Sequence, residues 1–299
     1  MRPVVVLGDA LLDVDVEGRT ERMCPDAPVP VLDVTTEHAR PGGAGLAAVL
    51  AAAELPVLLV TALAEDADGA RLRALLEPML RLVAGPARGG TVVKTRLRAD
   101  GASLLRVDHG TAHPAPGFGA AVGPALADAL TSAAAVLVSD YGRGVAADPT
   151  ARSALLEAVA RGIPVVWDPH PRGPAPVPGV TVATPNLGEA RAALEADETV
   201  PAAELAAALA LRWDCSAVAV TLGDRGAVLA GRDGGHVDVP TQRVTGGDPC
   251  GAGDAFAGRV AALLAQDAGL HGAVRGAVAA ARAFVAAGGA AALRFQRAA

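Results

Sequence analysis

Short β-branched runs alternate with alanine-rich stretches of helical length along most of the chain. The runs at 4–7, 57–62, 135–139, 165–168, 180–184 and 217–222 are apolar, bounded by turn residues and too short for helices, so they predict buried strands. The stretches 43–54, 66–76, 119–130, 149–161, 187–194, 202–212, 251–265 and 271–287 predict helices. Strands spaced by helices in this way predict an α/β fold, a mostly parallel sheet covered on both faces. Two regions break the rhythm. Residues 29–34 alternate apolar and polar behind a turn-rich stretch, and 91–98 and 103–107 alternate about Ala99-Asp100-Gly101-Ala102. Half-polar strands suit a small sheet with one exposed face, a flap beside the main domain, although an ordinary edge hairpin has the same pattern.

Composition narrows the classes. The 299 residues are 52% hydrophobic but only 2% aromatic, so the core is built of alanine, valine and leucine, in one large domain or two small ones. Apolar runs such as 133–138 fall far short of the ~20 residues a bilayer requires. The amino-terminal run meets Asp9 at once and reads as a core strand rather than a signal peptide. A net charge of −6 argues against a broad nucleic-acid surface. Cys24, Cys215 and Cys250 are odd in number and lack CxxC spacing, which predicts a reducing cytoplasm and no zinc site. Among 26 basic residues Lys94 is the one lysine; Asn186 and Tyr141 are likewise single copies.

The densest chemistry lies in Gly246-Gly247-Asp248-Pro249-Cys250-Gly251-Ala252-Gly253-Asp254, which opens a helix. Small residues there let an anion reach free backbone N–H groups, and a carboxylate beside them can act as a base; a favourable first-turn acid is the plainer reading. Arg40-Pro41-Gly42-Gly43-Ala44-Gly45 also opens a helix. Its match to a dinucleotide fingerprint is weak, because a polar loop separates it from any strand. Asn186 and Glu189, one turn apart, fit either a magnesium–phosphate contact or a capping box. Asp140 after one strand, Asp9 and Asp13 after the first, and Thr221-Leu222-Gly223 after another lie where α/β proteins bind ligands. The six histidines show no catalytic spacing, and neither a Walker A sequence nor a Gly-x-Ser-x-Gly elbow occurs.

Taken in order, Gly8-Asp9…Asp13, Gly42-Gly43, Asp140, Asn186-x-x-Glu189, Thr221-x-Gly223 and Gly251-Ala252-Gly253-Asp254 resemble the ribokinase-like, or PfkB, family of carbohydrate kinases. Arg22-Met-Cys-Pro-Asp-Ala-Pro-Val-Pro30, Lys94-x-Arg96, Leu105-Arg106-Val-Asp108, Ser139-Asp-Tyr-Gly-Arg-Gly144 and Asp168-Pro169 look like the branch acting on D-glycero-β-D-manno-heptose 7-phosphate. The chain departs from the family pattern at Leu46, where asparagine is usual, at Arg143, where lysine is frequent, and at Pro249-Cys250.

The resemblance implies a ribokinase-like sheet forming a single domain over 1–299, with lid segments at about 12–38 and 90–108. It implies ATP-dependent phosphorylation of the anomeric hydroxyl of the heptose 7-phosphate to the 1,7-bisphosphate. Asp254 would be the base, with Gly251, Ala252 and Gly253 as the anion hole. Asp13, Gly42, Gly43 and Asp140 would hold the sugar, and Lys94, Arg106 and Arg22 its phosphate. Thr221 and Gly223 would border the nucleotide, Asn186 and Glu189 would organise Mg2+ through water, and Asp248 is a candidate for a K+ site. A cytoplasmic homodimer without nucleic-acid or membrane partners is expected. The chain lacks the HxGH motif of a fused nucleotidyltransferase, so a kinase-only form is expected. Three alternatives stand beside this reading: a kinase of another sugar, a silent nucleotide- and sugar-binding homologue, and an NAD-dependent oxidoreductase using the Gly43 motif.

Overall fold

In the computed structural model, which describes residues 1–295, all five residues of β1 (Val4–Gly8) are buried because both faces of the strand are covered. The chain then runs into a long hairpin, β2 (Ala10–Met23) and β3 (Pro30–Gly43), before α1 (Ala44–Ala52), β4 (Val57–Leu63), α2 (Ala67–Leu76) and β5 (Arg81–Arg88). A second hairpin, β6 (Val93–Ala99) and β7 (Ala102–His109), precedes β8 (His113–Pro114), α3 (Phe118–Ser132) and β9 (Ala135–Ser139). There follow α4 (Pro149–Ala160), β10 (Val165–Asp168), β11 (Val182–Ala183), α5 (Leu187–Leu194) and α6 (Ala202–Arg212). The chain closes with β12 (Ala217–Thr221), β13 (Ala227–Gly231), β14 (His236–Val239), α7 (Ala252–Leu264) and α8 (Leu270–Ala286).

The main sheet has the order β14-β13-β12-β11-β10-β9-β1-β4-β5-β8 and is parallel from β12 to β5, with antiparallel strands added at both edges. Alternation along β1 divides the core in two. Val4 and Val6 pack with α1, α2, α7 and α8; Val5 and Leu7 pack with α3, α4, α5 and α6. Alanine at the contacts lets helices approach closely, which is how a chain with few aromatics still fills both layers.

The second sheet has the order β3-β2-β6-β7. In β2, Leu12, Val14 and Val16 face the core, whereas Asp13, Asp15 and Glu17 alternate to the other face. This period-two signal continues well beyond residue 7, so the strand pattern is longer than the buried run 4–7 alone predicts. The hairpin turn forms as its sequence demands: Asp100 and Gly101 both have positive φ, 50° and 80°, the backbone of a type I′ turn. The strand predicted at 180–184 shrinks to the two residues of β11, and β5, β13 and β14 are additions. No helix among the described residues is long and apolar enough to cross a membrane.

The parallel strands all end at one edge of the sheet, where Asp9, Asp140, Asp168, Asn186 and Thr221 gather. Asp9 shapes that edge. Its carboxylate accepts the N–H groups of Tyr141, Arg143 and Val145 at 3.0, 2.9 and 3.1 Å and so folds the loop after β9. Replacing Asp9 by alanine leaves these donors without an acceptor. Asp9→Ala should destabilise the protein by about 3 kcal/mol in urea unfolding; an unchanged midpoint would show that the loop holds itself.

Candidate active site

Asp254 lies in the first turn of α7 and is 5% exposed. The chain enters that helix through Gly251, whose φ of 83° suits glycine, and a Cβ there would come within 2.7 Å of Leu46 Cδ2. Burial pushes the Asp254 carboxyl up to about 7, with Asp13 adding to the rise and the Tyr141 hydroxyl and Lys94 opposing it. The Tyr141 hydroxyl donates to Asp254 Oδ1 at 2.9 Å and Oδ2 at 3.0 Å. Lys94 Nζ stands 5.1 Å from the Tyr141 ring centroid.

The amides around Asp254 are not equivalent. The N–H of Ala252 donates to the Pro249 carbonyl at 3.0 Å, and that of Cys250 to Asp248 Oδ1 at 2.9 Å. This commits one of the three sequence-predicted anion-hole donors and leaves the amides of Gly251 and Gly253, the latter residue being exposed.

On the lid side, Asp13 is held between Arg40 at 3.5 Å and Arg96 at 3.3 Å, and its carboxylate presses so closely on Gly42 that a Cβ there would sit 2.7 Å from Oδ2. Arg40 also pairs with Asp15. Asp140 is buried and accepts the Gly142 N–H through Oδ1, while Oδ2 has no partner among the described residues. Burial pushes its carboxyl up to about 7, and Asp9 adds to the rise. The Oδ2 oxygen lies against Gly173, where any side chain would collide with it, so a ligand hydroxyl reaches it only if the loop carrying Gly173 shifts.

Cations line the same space. His170 stacks on Tyr141 with centroids 6.4 Å apart, and its proton affinity is lowered by burial, then by Arg172, Lys94 and Arg143. Lys94, Arg143 and Arg172 form no ion pair among the described residues. Arg106 lies opposite Arg96 across the hairpin but pairs with Asp108 at 2.8 Å, and Arg22, far along the lid, pairs with Asp33 at 3.2 Å. The structure thus adds Arg172 and His170, which the spacing of the sequence did not single out because they reach the site only through the loop after β10.

On the other side of Asp254 a cleft of about 350 Å³ runs between the end of β12 and the helices α7 and α8, lined by Thr221, Gly223, Gly253, Phe256 and Val285 among others. Asn186 joins this wall through a parallel bridge to Thr221. Asn186 and Glu189 form the capping box of α5: Glu189 N–H donates to Asn186 Oδ1 at 3.0 Å, and Asn186 N–H to Glu189 Oε2 at 2.8 Å. Burial raises the Glu189 carboxyl, and it raises the Asp168 carboxyl further, with Asp254 and Glu189 adding to the latter.

No cluster of three His, Cys, Asp or Glu residues among the described residues can hold a metal directly. Buried carboxyls such as Asp168, raised by burial and by Asp254 and Glu189, beside a nucleotide-sized cleft do fit a hydrated magnesium ion carried on nucleotide phosphates. Asp248 does not present a bare carboxylate to potassium, since Arg98 stands 3.5 Å away and the Cys250 N–H is bound. Leu46, at the usual asparagine position, is 1% exposed and packs on the Gly251 turn.

The buried carboxyls set a pH dependence. Asp254 and Asp140 ionise near 3.8 when unfolded but at about 7 when folded, so the folded state is favoured below about 4 and loses that advantage as pH rises to about 7. Asp254→Asn and Asp140→Asn should each stabilise the ligand-free protein at pH 8, by on the order of 2 kcal/mol, and not at pH 4. Equal effects at both pH values in thermal unfolding would contradict the burial cost.

Residues 122–295 match the profile described as pfkB family carbohydrate kinase. The chain is 47% identical over 298 residues to the bifunctional protein HldE of Streptomyces coelicolor, an alignment covering 97% of this chain and 62% of that protein. It is 37% identical to the bifunctional protein HldE of Caulobacter vibrioides, covering 90% of this chain and 57% of that one. The chain therefore spans about three fifths of the length of these curated relatives. The fold is similar to that of the tetrameric inhibited form of phosphofructokinase-2 from Escherichia coli, with a TM-score of 0.76 at 20% identity over 95% of this chain and 94% of that one.

Proposed function

The chain belongs to the pfkB family of carbohydrate kinases, and from that premise we propose that it transfers the γ-phosphoryl group of ATP to the anomeric hydroxyl of D-glycero-β-D-manno-heptose 7-phosphate, giving the 1,7-bisphosphate. One observation carries the reading: the buried Asp254 carboxylate stands between a nucleotide-sized cleft and a lid face bearing Asp13 and Lys94, with Asp140 just past β9 of the main sheet. Asp254 takes the proton of the sugar hydroxyl, the freed oxygen attacks the γ-phosphorus in line, and ADP departs. The amides of Gly251 and Gly253, at the positive end of α7, stabilise the charge spreading over the transferring group. Thr221 and Gly223 border the nucleotide. Asn186 and Glu189, the latter through its second oxygen, would hold magnesium through water, and that ion supplies charge neutralisation to the phosphates when bound. Asp13, Gly42, Gly43 and Asp140 position the sugar hydroxyls.

The unpaired cations Lys94, Arg143 and Arg172 support a phosphorylated sugar, because an otherwise acidic pocket gains nothing from them with a neutral one. Arg106 joins them at the lid edge once it exchanges Asp108 for phosphate. The strings from Arg22 to Pro30 and from Leu105 to Asp108, which resemble the heptose branch, are in keeping with a heptose substrate. Leu46 favours a second reading, a kinase of a different sugar phosphate, since it brings no polar group to the Gly251 turn. We further propose one kinase domain with β2, β3, β6 and β7 as its lid, working as a homodimer in a reducing cytoplasm. The exposed Leu104, Leu105 and Val107 of β7 offer the dimer an apolar edge, and the three free cysteines suit that compartment.

A panel of sugars and sugar phosphates with ATP, read by phosphorus NMR, tests substrate and anomer together. Lys94→Ala and Arg172→Ala should each raise KM for the phosphorylated substrate at least tenfold more than for its unphosphorylated counterpart. Equal losses on both would reject the phosphate role, and turnover of another sugar alone would select the second reading.

A further inference from the structure

Tyr141 is the one tyrosine of the chain, and the base assignment alone gives it no task. Its hydroxyl lies almost equidistant from the two oxygens of Asp254, at 2.9 and 3.0 Å, so a single donor covers both acceptors. That is the position from which a substrate hydroxyl would have to address the carboxylate before giving up its proton. The ring has two neighbours of its own: His170 stacks with it at an interplanar angle of 25°, and Lys94 rests over it. The backbone N–H of Tyr141 is fixed by Asp9 at 3.0 Å. A tyrosine so firmly seated against a buried carboxylate occupies the acceptor's place with an alcohol of the protein's own.

We propose that Tyr141 is a positioning residue that guards Asp254: until sugar arrives, its hydroxyl fills the acceptor's place on the carboxylate and keeps water from being activated toward ATP. The proposal rests on the kinase reading above and adds to it how unproductive hydrolysis is suppressed. Without the guard, a water molecule would give its proton to Asp254, its oxygen would bond to the γ-phosphorus, and the bond to ADP would break, releasing ADP and inorganic phosphate. When sugar binds, its hydroxyl displaces the phenol from one carboxylate oxygen. Lys94, in contact with the same ring, puts the cation that meets the sugar's phosphate beside the guard.

The test is Tyr141→Phe, which removes the hydroxyl and keeps the ring. Four groups face Asp254: Asp13 from β2, Lys94 from β6, Tyr141 from the loop after β9 and Asp168 from β10. Three are unaltered in the variant, so changes report the phenol. At pH 8, sugar-independent ATP hydrolysis should rise roughly tenfold or more, and Asp254→Asn added to the variant should abolish the rise. The acid limb of sugar phosphorylation should move to higher pH, because a donor favouring the ionised carboxylate is gone. Unchanged hydrolysis with an unmoved limb would overturn the proposal. Should the variant fold poorly, uniform 3-fluorotyrosine labels Tyr141 alone, and its fluorine resonance should shift with heptose 7-phosphate but not with ATP; indifference to a sugar phosphate that is turned over would equally overturn it. Failure of the kinase reading is distinct: the unaltered protein would then form no sugar-dependent ADP at all.

Discussion

A carboxylate kept out of water at the start of a helix is costly to fold, and the architecture around Asp254 is organised by that cost. The positive end of α7 and the Tyr141 hydroxyl favour its charge, while burial and Asp13 oppose it, and the balance leaves the group ionising at about 7. An ordinary surface aspartate would be ionised more readily but would be a weaker base. On the base role proposed for Asp254, the protein gives up stability at neutral pH for a group poised to take a proton.

Two sheets must meet for this to work. The parallel sheet ends its strands at one edge, supplying Asp140, Asp168 and Thr221, and the lid sheet supplies Asp13, Lys94 and Arg96. β2 links them, leaving β1 after one residue and carrying its acidic face across the site. Arg40 holds that face in place by pairing with both Asp13 and Asp15 inside the lid hinge. Asp9 sets the loop that brings Tyr141 to Asp254. Positioning therefore descends from backbone hydrogen bonds to a side-chain pair, as phosphoryl transfer requires.

Much of this is legible in the sequence, for local reasons. Core strands such as Ala135–Ser139 and Val165–Asp168, and the helices Leu187–Leu194 and Ala202–Arg212, follow from periodicity and turn residues alone. The Asp100-Gly101 turn follows from its φ requirement. The full length of β2 and β3 is less apparent, because the acidic residues alternating in β2 look solvent-exposed until a second layer covers them. β14 is an antiparallel edge strand with little burial to mark it, and β13 inside it is a buried run of only five residues, Ala227–Gly231. At the site, Asp254, Asp13, Asp140 and Lys94 stand out by motif, whereas Arg172 and His170 depend on how a loop folds back. Asn186 and Glu189 illustrate a signal with two meanings: the capping box is present, and the proposed magnesium role would fall to the atoms that the box leaves free.

The most direct measurement of the central claim is the pH dependence of kcat/KM for phosphoryl transfer by the unaltered protein, beside that of Asp254→Asn. The account predicts a rise of unit slope that levels near pH 7, the value at which Asp254 ionises, and its loss in the variant together with most of the rate. A profile flat between pH 5 and 8, or a variant retaining near-normal turnover, would contradict it.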